Sequence, residues 1–235
     1  RPTPTAPRPH GKAGCRKRYW TPLEQGCMLL RMSDDHTQNL WKPHTVEETL
    51  DIYAGWAGSY EGDMADWGYA TPGRVALALR KAGANPAKPV LDFGCGTGLS
   101  GLALKAAGFD VVDGTDISTE MLAEAEAKGA YRQTWIGEPG SMGPVGRGDY
   151  ATIAATGVVS LGAAPPETLD MLLGALGPAG MLAFSYNDAT LGDANYTGKL
   201  QEVLATGDYT KLVEDYGSHL PAKDMKSMVY VLQKT

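Results

Sequence analysis

The segment VLDFGCGTGLSG, residues 90–101, concentrates the residue types able to hold a nucleotide. Its glycines fall at two overlapping spacings. Gly94, Gly96 and Gly98 give G-x-G-x-G, while Gly96, Gly98 and Gly101 give the G-x-G-x-x-G associated with dinucleotides. Glycine here lets the backbone approach a ligand closely and take positive φ, and the following helix offers unpaired N–H groups to an anion. A tight strand-to-helix turn would use glycine in the same way, so context must separate the readings. Asp92 stands two residues before Gly94. Its carboxylate would repel a pyrophosphate but suits a sulfonium or ammonium group. Asp116, about 20 residues downstream, fits the hydroxyls of a ribose in either cofactor and does not discriminate.

The elements that must position these residues alternate from Pro89 onward. PVLDF reads as strand, GLSGLALKAAG as a helix beginning near Leu99 and closing at Gly108, and FDVVDGTD as strand. STEMLAEAEAKG reads as a helix capped by Ser118 and closing at Gly129. YRQTWIG and GDYATIAATG follow as strands, PPETLDMLLGALG as helix and GMLAFSY as strand. YTGKLQEVLATG and YTKLVEDYG read as helices, and MKSMVYVLQK as a last strand. Repeated β-α-β units give an α/β doubly wound, mostly parallel sheet covered on both faces. Ligands in such sheets sit beyond the carboxyl ends of the strands, where strand order reverses. Before the sheet, Thr45 and Glu48 form a capping box ahead of Val46, Leu50, Tyr53 and Ala57 at helical spacing. A second short helical piece covers GDMADWGY, and Thr71 caps a third helix with Pro72 at its first position, ending at Gly83.

With 235 residues, 43% hydrophobic and 20% charged, the chain can bury one sizeable core. No window approaches 18 uncharged apolar residues, so no membrane span is expected. The net charge of −6 is unevenly spread: residues 1–32 hold seven Lys/Arg, five Pro and one acid, Glu24, and the rest holds 14 Lys/Arg against 26 Asp/Glu. An acidic body disfavours nonspecific nucleic-acid binding. The first 32 residues show no hydrophobic period and read as a disordered extension, with Met28 or Met32 as a possible true start. Three cysteines, Cys15, Cys27 and Cys95, cannot close a disulfide framework, which points to a reducing, cytoplasmic compartment. The organisation expected is an extension over 1–32, a helical lid over 33–70 and an α/β domain over 71–235.

VLDFGCGTG followed by VVDGTDISTEMLAEA resembles the first two motifs of class I S-adenosylmethionine-dependent methyltransferases, over about residues 46–235. YAGWAGSYEGDMADWGYATP, ATGVVSLG and MVYVLQK resemble more narrowly the Williams–Beuren-region methyltransferase-like proteins and their bacterial relatives. The resemblance implies a seven-stranded Rossmann-like sheet and S-adenosylmethionine as cofactor. It implies that Gly94, Cys95, Gly96 and Gly98, with Leu99 at the helix start, pack against the methionine moiety and ribose. Asp92 would lie near the cofactor's amino group, Asp116 would hold the ribose, and Ile117 and Met121 would pack along the adenosine. Tyr53 and Tyr60 match lid tyrosines on the cofactor's carboxylate side, although with Trp56 they also form a stripe that could simply pack the lid. Thr156 and Gly157 match the position flanking methyl transfer. Glu138 stands slightly late for the acid expected after the third strand, leaving the adenine contact unassigned, and Asp149 stands at the start of the fourth.

A general base is needed only if the acceptor must lose a proton. Tyr186, Asn187, Asp188 and His219 are the residues placed for it, each equally readable as structural, while His10, His36 and His44 lie before the fold. Cys95, inside the turn, is not expected to act as a nucleophile. The chain has no Asn/Asp-Pro-Pro-aromatic segment after the fourth strand, no Pro-Cys nucleophile and no Cys/His metal cluster. A methyltransferase acting on a small molecule, with no metal, is the leading expectation. A non-catalytic cofactor-binding module and, behind it, an NAD-dependent oxidoreductase are the alternatives. Oligomeric state leaves no mark on the sequence.

Overall fold

A computed structural model of the chain describes Lys42 and residues 44–235. The extension expected over 1–32, Met28, Met32, Cys15, Cys27, His10 and His36 lie outside the described residues. Residues 44–235 belong to one compact unit.

Helix α1, Val46–Trp67, starts at the expected capping box. Thr45 Oγ1 accepts from Glu48 N at 3.2 Å and the Glu48 carboxylate accepts from Thr45 N at 2.8 Å. It runs unbroken to Gly68, whose φ of 71° ends it, so the two helical pieces expected here are one. Gly55, Gly58 and Gly62 weaken the helix locally, but Trp56, Tyr60, Met64 and Trp67 recur at three- and four-residue spacing and pack together on its inner face. Helix α2, Thr71–Lys81, has Pro72 in its first turn, but Thr71 does not cap it. Thr71 lies inside the helix, and its hydroxyl is spent elsewhere: it sits 2.8 Å from His219 Nδ1 and 2.9 Å from Ser227 Oγ.

The α/β pattern then unfolds as β1 Val90–Phe93, α3 Leu99–Ala106, β2 Val112–Asp116, α4 Thr119–Ala127, β3 Gln133–Ile136, β4 Thr152–Ala155, α5 Thr168–Gly174, β5 Met181–Asn187, α6 Asp188–Leu191, α7 Ala194–Ala205, β6 Tyr209–Leu220 and β7 Met225–Lys234. Seven strands form one sheet in the order β3-β2-β1-β4-β5-β7-β6. β1 to β5 are parallel, and β7 runs antiparallel to both β5 and β6. Val90, Leu91, Ile153, Ala154, Leu182 and Ala183, on the three central strands, are fully buried, as expected of parallel strands covered on both faces. Strand order reverses between β1 and β4, so the turn after β1 and the loop after β4 flank the crevice.

β6 corrects the sequence reading of YTKLVEDYG as helix. Leu212, Val213 and Tyr216 mimic helical spacing, yet the segment is a strand on the sheet edge, with Leu212 and Tyr216 exposed. Two register irregularities, between Lys211 and Val213 and between Ser218 and Leu220, break the alternation that would have marked it as β.

Gly101, the third glycine of the dinucleotide spacing, packs not on a ligand but on Tyr131. The Tyr131 hydroxyl accepts from Gly101 N at 3.1 Å, and a Cβ at Gly101 would fall 2.3 Å from Tyr131 Cζ, far inside van der Waals contact. Gly101→Ala therefore sets helix propensity, worth about 1 kcal/mol in its favour, against an overpacking penalty of about 1–3 kcal/mol. We expect net destabilisation in urea unfolding; an unchanged or raised midpoint would contradict this packing.

Candidate active site

The glycine turn is held from the end of β2. Thr115 O accepts from both Gly94 N, at 2.8 Å, and Cys95 N, at 3.0 Å. Asp116 Oδ2 accepts from Gly96 N at 2.7 Å, and its Oδ1 accepts from Ser118 N at 2.9 Å. Gly94, Gly96 and Gly98 take φ of 69°, 54° and 93°, the left-handed region closed to most side chains. A Cβ at Gly96 would meet nothing within 4 Å, so the turn presents bare backbone to open space.

That space is a cavity of about 580 Å³. Gly94, Gly96, Asp116, Ile117 and Met121 line one side, Thr156 and Gly157 another, and Tyr53 and Tyr60 of α1 a third. These nine of the thirteen residues singled out in the sequence therefore meet around one opening. Cys95 and Leu99 line a smaller adjoining recess of about 40 Å³. Gly98 caps α3 and packs on Ala125, away from both spaces. Asp92 is also behind the turn. It is fully buried, and its Oδ2 accepts from Ser100 Oγ at 2.6 Å and from the Tyr131 hydroxyl at 2.7 Å. Its Oδ1 has no partner. The carboxylate that the sequence placed beside a ligand thus lies beneath the turn and lines neither space.

Burial drives the electrostatics. It raises the Asp92 carboxyl from 3.8 to about 6, against the lowering by its two hydrogen bonds. Asp116 is also raised by burial, partly offset by its backbone donors. The Tyr53 hydroxyl is pushed up to about 12, and those of Tyr60 and Tyr69 are raised further, so all three line the cavity as neutral phenols. Burial raises the Cys95 thiol far above its ordinary value, which leaves no thiolate for nucleophilic chemistry. Thr49, Thr115 and Thr156, all on the cavity wall, have buried hydroxyls without partners. Buried polar atoms are seldom left so, and a polar ligand would satisfy them.

The base candidates separate. Tyr186 is fully buried among Phe184, Tyr196 and Tyr230. Asp188 is committed to Tyr216, whose hydroxyl it accepts at 2.7 Å, and to Lys226 N at 2.8 Å. Asn187 lines the cavity, with its Oδ1 accepting from Thr190 N at 2.9 Å. His219 lies near the end of β6, 8% exposed, and lines the cavity. Asp149 instead supports a local turn through Gly146 N. Gly137 and exposed Glu138 do reach the cavity. Sequence reasoning missed Tyr69, which lines both spaces, and Tyr131, which braces the turn from beneath. Nothing in residue spacing marks either one; only the sheet order brings Tyr131 under β1.

Among the described residues no group of His, Cys, Asp or Glu could hold a metal ion, and no helix is long and apolar enough to cross a membrane.

The family model described as a methyltransferase domain matches residues 67–229, well over half of the chain. Methyltransferase-like protein 27 of Homo sapiens is 32% identical over 130 residues, which cover 54% of this chain and 53% of that protein. The match thus spans about half the length of that curated relative. Magnesium protoporphyrin IX methyltransferase from Synechocystis PCC 6803, solved with bound SAM, shares the fold at a TM-score of 0.56 and 18% identity, over 88% of this chain and 96% of that one. The cyclase SpnF shares it at a TM-score of 0.52 and 17% identity, over 69% and 81% of the two chains.

The unpaired charge at Asp92 has a measurable consequence. Its folded-state value lies above the unfolded one, so the folded state holds the proton more tightly and stability falls as pH rises from about 4 to about 6. A shift of this size corresponds to about 3 kcal/mol. Asp92→Asn should flatten that part of the stability–pH profile; an unaltered profile would show that Asp92 is not the group responsible.

Proposed function

This chain belongs to the methyltransferase domain family, and we propose that it is a methyltransferase that binds S-adenosylmethionine in the cavity and acts on a small molecule. The observation that carries the reading is the opening itself: the bare backbone at Gly94 and Gly96 and the Asp116 carboxylate face the same space as the loop after β4 and the tyrosines of α1. Three unpartnered threonine hydroxyls on its wall fit a polar ligand.

Each Asp116 oxygen accepts one backbone hydrogen bond and keeps a lone pair for a ribose hydroxyl. Gly94 and Gly96, with Cys95 and Leu99 from the adjoining recess, would border the methionine moiety and ribose, and Gly98 would hold the turn's shape. Ile117 and Met121 would pack along the adenosine, and Tyr53 and Tyr60 would donate to the cofactor's carboxylate. Thr156 and Gly157 would flank the transferred methyl group. Asp92 sits too deep for contact, and its role would be to favour a cationic cofactor through the turn. Bound there, S-adenosylmethionine supplies an electrophilic methyl group on a sulfonium, for which alignment of the acceptor is the main requirement. Of the lid expected over 33–70, the described part, α1, closes one side of the cavity and would cover an α/β domain at 71–235, while residues 33–41 lie outside the described residues. A buried free thiol at Cys95 accords with a reducing, cytoplasmic setting.

S-adenosylhomocysteine at about 100 times its dissociation constant should stabilise the protein by about 2.7 kcal/mol, with a clear thermal shift, while NAD gives none. Asp116→Ala should weaken that binding at least tenfold in calorimetry, or about 1.4 kcal/mol. Stabilisation by NAD alone, or undiminished affinity in the variant, would sink the reading.

A further inference from the structure

The far wall of the cavity differs chemically from the cofactor side. Among the described residues no Lys or Arg lines the cavity. Its carboxylates apart from Asp116 are Glu138 and Glu167, both exposed at the surface. Trp67, Met64, Val158, Leu161, Met171 and Leu220 give this part of the lining much apolar surface, beside the uncharged Ser160 and Thr168. Within that wall stand two nitrogens whose hydrogen-bonding sense is fixed from behind.

The first is His219 Nε2. Arg74 Nη1 lies 2.9 Å from Ser227 Oγ, and a guanidinium can only donate. The serine hydroxyl therefore accepts from Arg74, and its own proton has one partner, Thr71 Oγ1, at 2.9 Å. The threonine proton in turn goes to His219 Nδ1, at 2.8 Å. Any other arrangement leaves a buried hydroxyl proton unbonded. Nδ1 is thus an acceptor, and the neutral ring carries its proton on Nε2, which has no hydrogen-bond partner among the described residues. The groups facing the ring are Tyr69, edge-on at 5.3 Å between centroids, Arg74 and Asp188. Burial, helped by Arg74 and opposed by Asp188, holds the imidazole down to about 4, so it is neutral at physiological pH.

The second is the Asn187 amide. Its Oδ1 accepts from both Thr190 N and Thr190 Oγ1 at 2.9 Å, and its NH₂ has no hydrogen-bond partner among the described residues. Asn187 and Gly217 pair with Ser227 from opposite sides of β7, and His219 lies two residues beyond Gly217 on β6.

We propose that His219 is a fixed hydrogen-bond donor to the methyl acceptor rather than a base. The acceptor is an uncharged, largely apolar small molecule that offers an oxygen to His219 Nε2 and the Asn187 amide. Arg74, Ser227 and Thr71 are positioning residues that set the imidazole tautomer. The acceptor class rests on the methyl-transfer reading above; the tautomer does not.

Two measurements on the full chain test this. With His10→Gln, His36→Gln and His44→Gln, His219 is the sole histidine, and long-range ¹⁵N–¹H NMR reads its tautomer directly. The Nε2–H form, unchanged from pH 8 to pH 5, is expected; an Nδ1–H form, or protonation above pH 6, overturns the donor role. In Ser227→Ala the Nδ1–H form should gain population, and an unmoved tautomer overturns the relay. For the acceptor class, 2-acetylnaphthalene, 2-isopropylnaphthalene and 2-naphthoate are titrated into protein saturated with S-adenosylhomocysteine. The ketone should bind about tenfold more tightly than the other two, as expected for one well-made hydrogen bond. That advantage over the hydrocarbon should vanish in His219→Leu and persist in His219→Gln. Indistinguishable behaviour of the three probes, or preference for the naphthoate, overturns the class. Failure of S-adenosylhomocysteine to bind would instead strike the methyl-transfer reading and leave the NMR result standing.

Discussion

Five successive residues between β1 and α3, Gly94 to Gly98, must place their N–H groups without the help of a helix or a sheet, and the end of β2 takes three of them. Thr115 O takes two of those N–H groups and the Asp116 carboxylate a third. With these bonds made, the chain between β1 and α3 has one conformation, left-handed at three glycines, and its outer surface is backbone alone. The position of α3, the depth of the cavity and the approach of any ligand follow from it. A turn satisfied by water would be free to move; one tied to the neighbouring strand is preorganised.

The same region shows how a buried charge can be handled in two ways. Asp113, on β2, is fully buried and paired: Arg132 and the Tyr150 hydroxyl both donate to it. Asp92, on the adjacent strand, receives only two hydroxyl donors and no cation. An unpaired buried carboxylate is destabilising, and the electrostatic role proposed for Asp92 toward a positively charged ligand would offset that cost. Tyr131 connects the two functions, because its one hydroxyl donates to Asp92 and accepts from Gly101 N.

Much of this was legible in the sequence. The β1 and β2 patterns, the capping box at Thr45, the Ser118 cap and the glycine turn follow from rules that act over a few residues. β6 was not, because two bulges disguise its period and because an edge strand exposes residues on both faces. Thr71 was misassigned since a threonine before Pro72 reads as a cap, while its partners lie about 150 residues away at His219 and Ser227. For the same reason the relay on His219 and the brace at Tyr131 leave no local trace. The sequence could place candidates for a base after β5, but only packing separates buried Tyr186, committed Asp188 and cavity-facing Asn187.

The most direct measurement of the central claim is a crystal structure of the chain with S-adenosylhomocysteine. The account expects the ribose hydroxyls within about 3 Å of the Asp116 oxygens, the amino acid moiety against the Gly94–Gly96 backbone, and Asp92 still sealed beneath the turn. A ligand seated away from Asp116, or a turn that opens to let Asp92 reach the ligand, would contradict it.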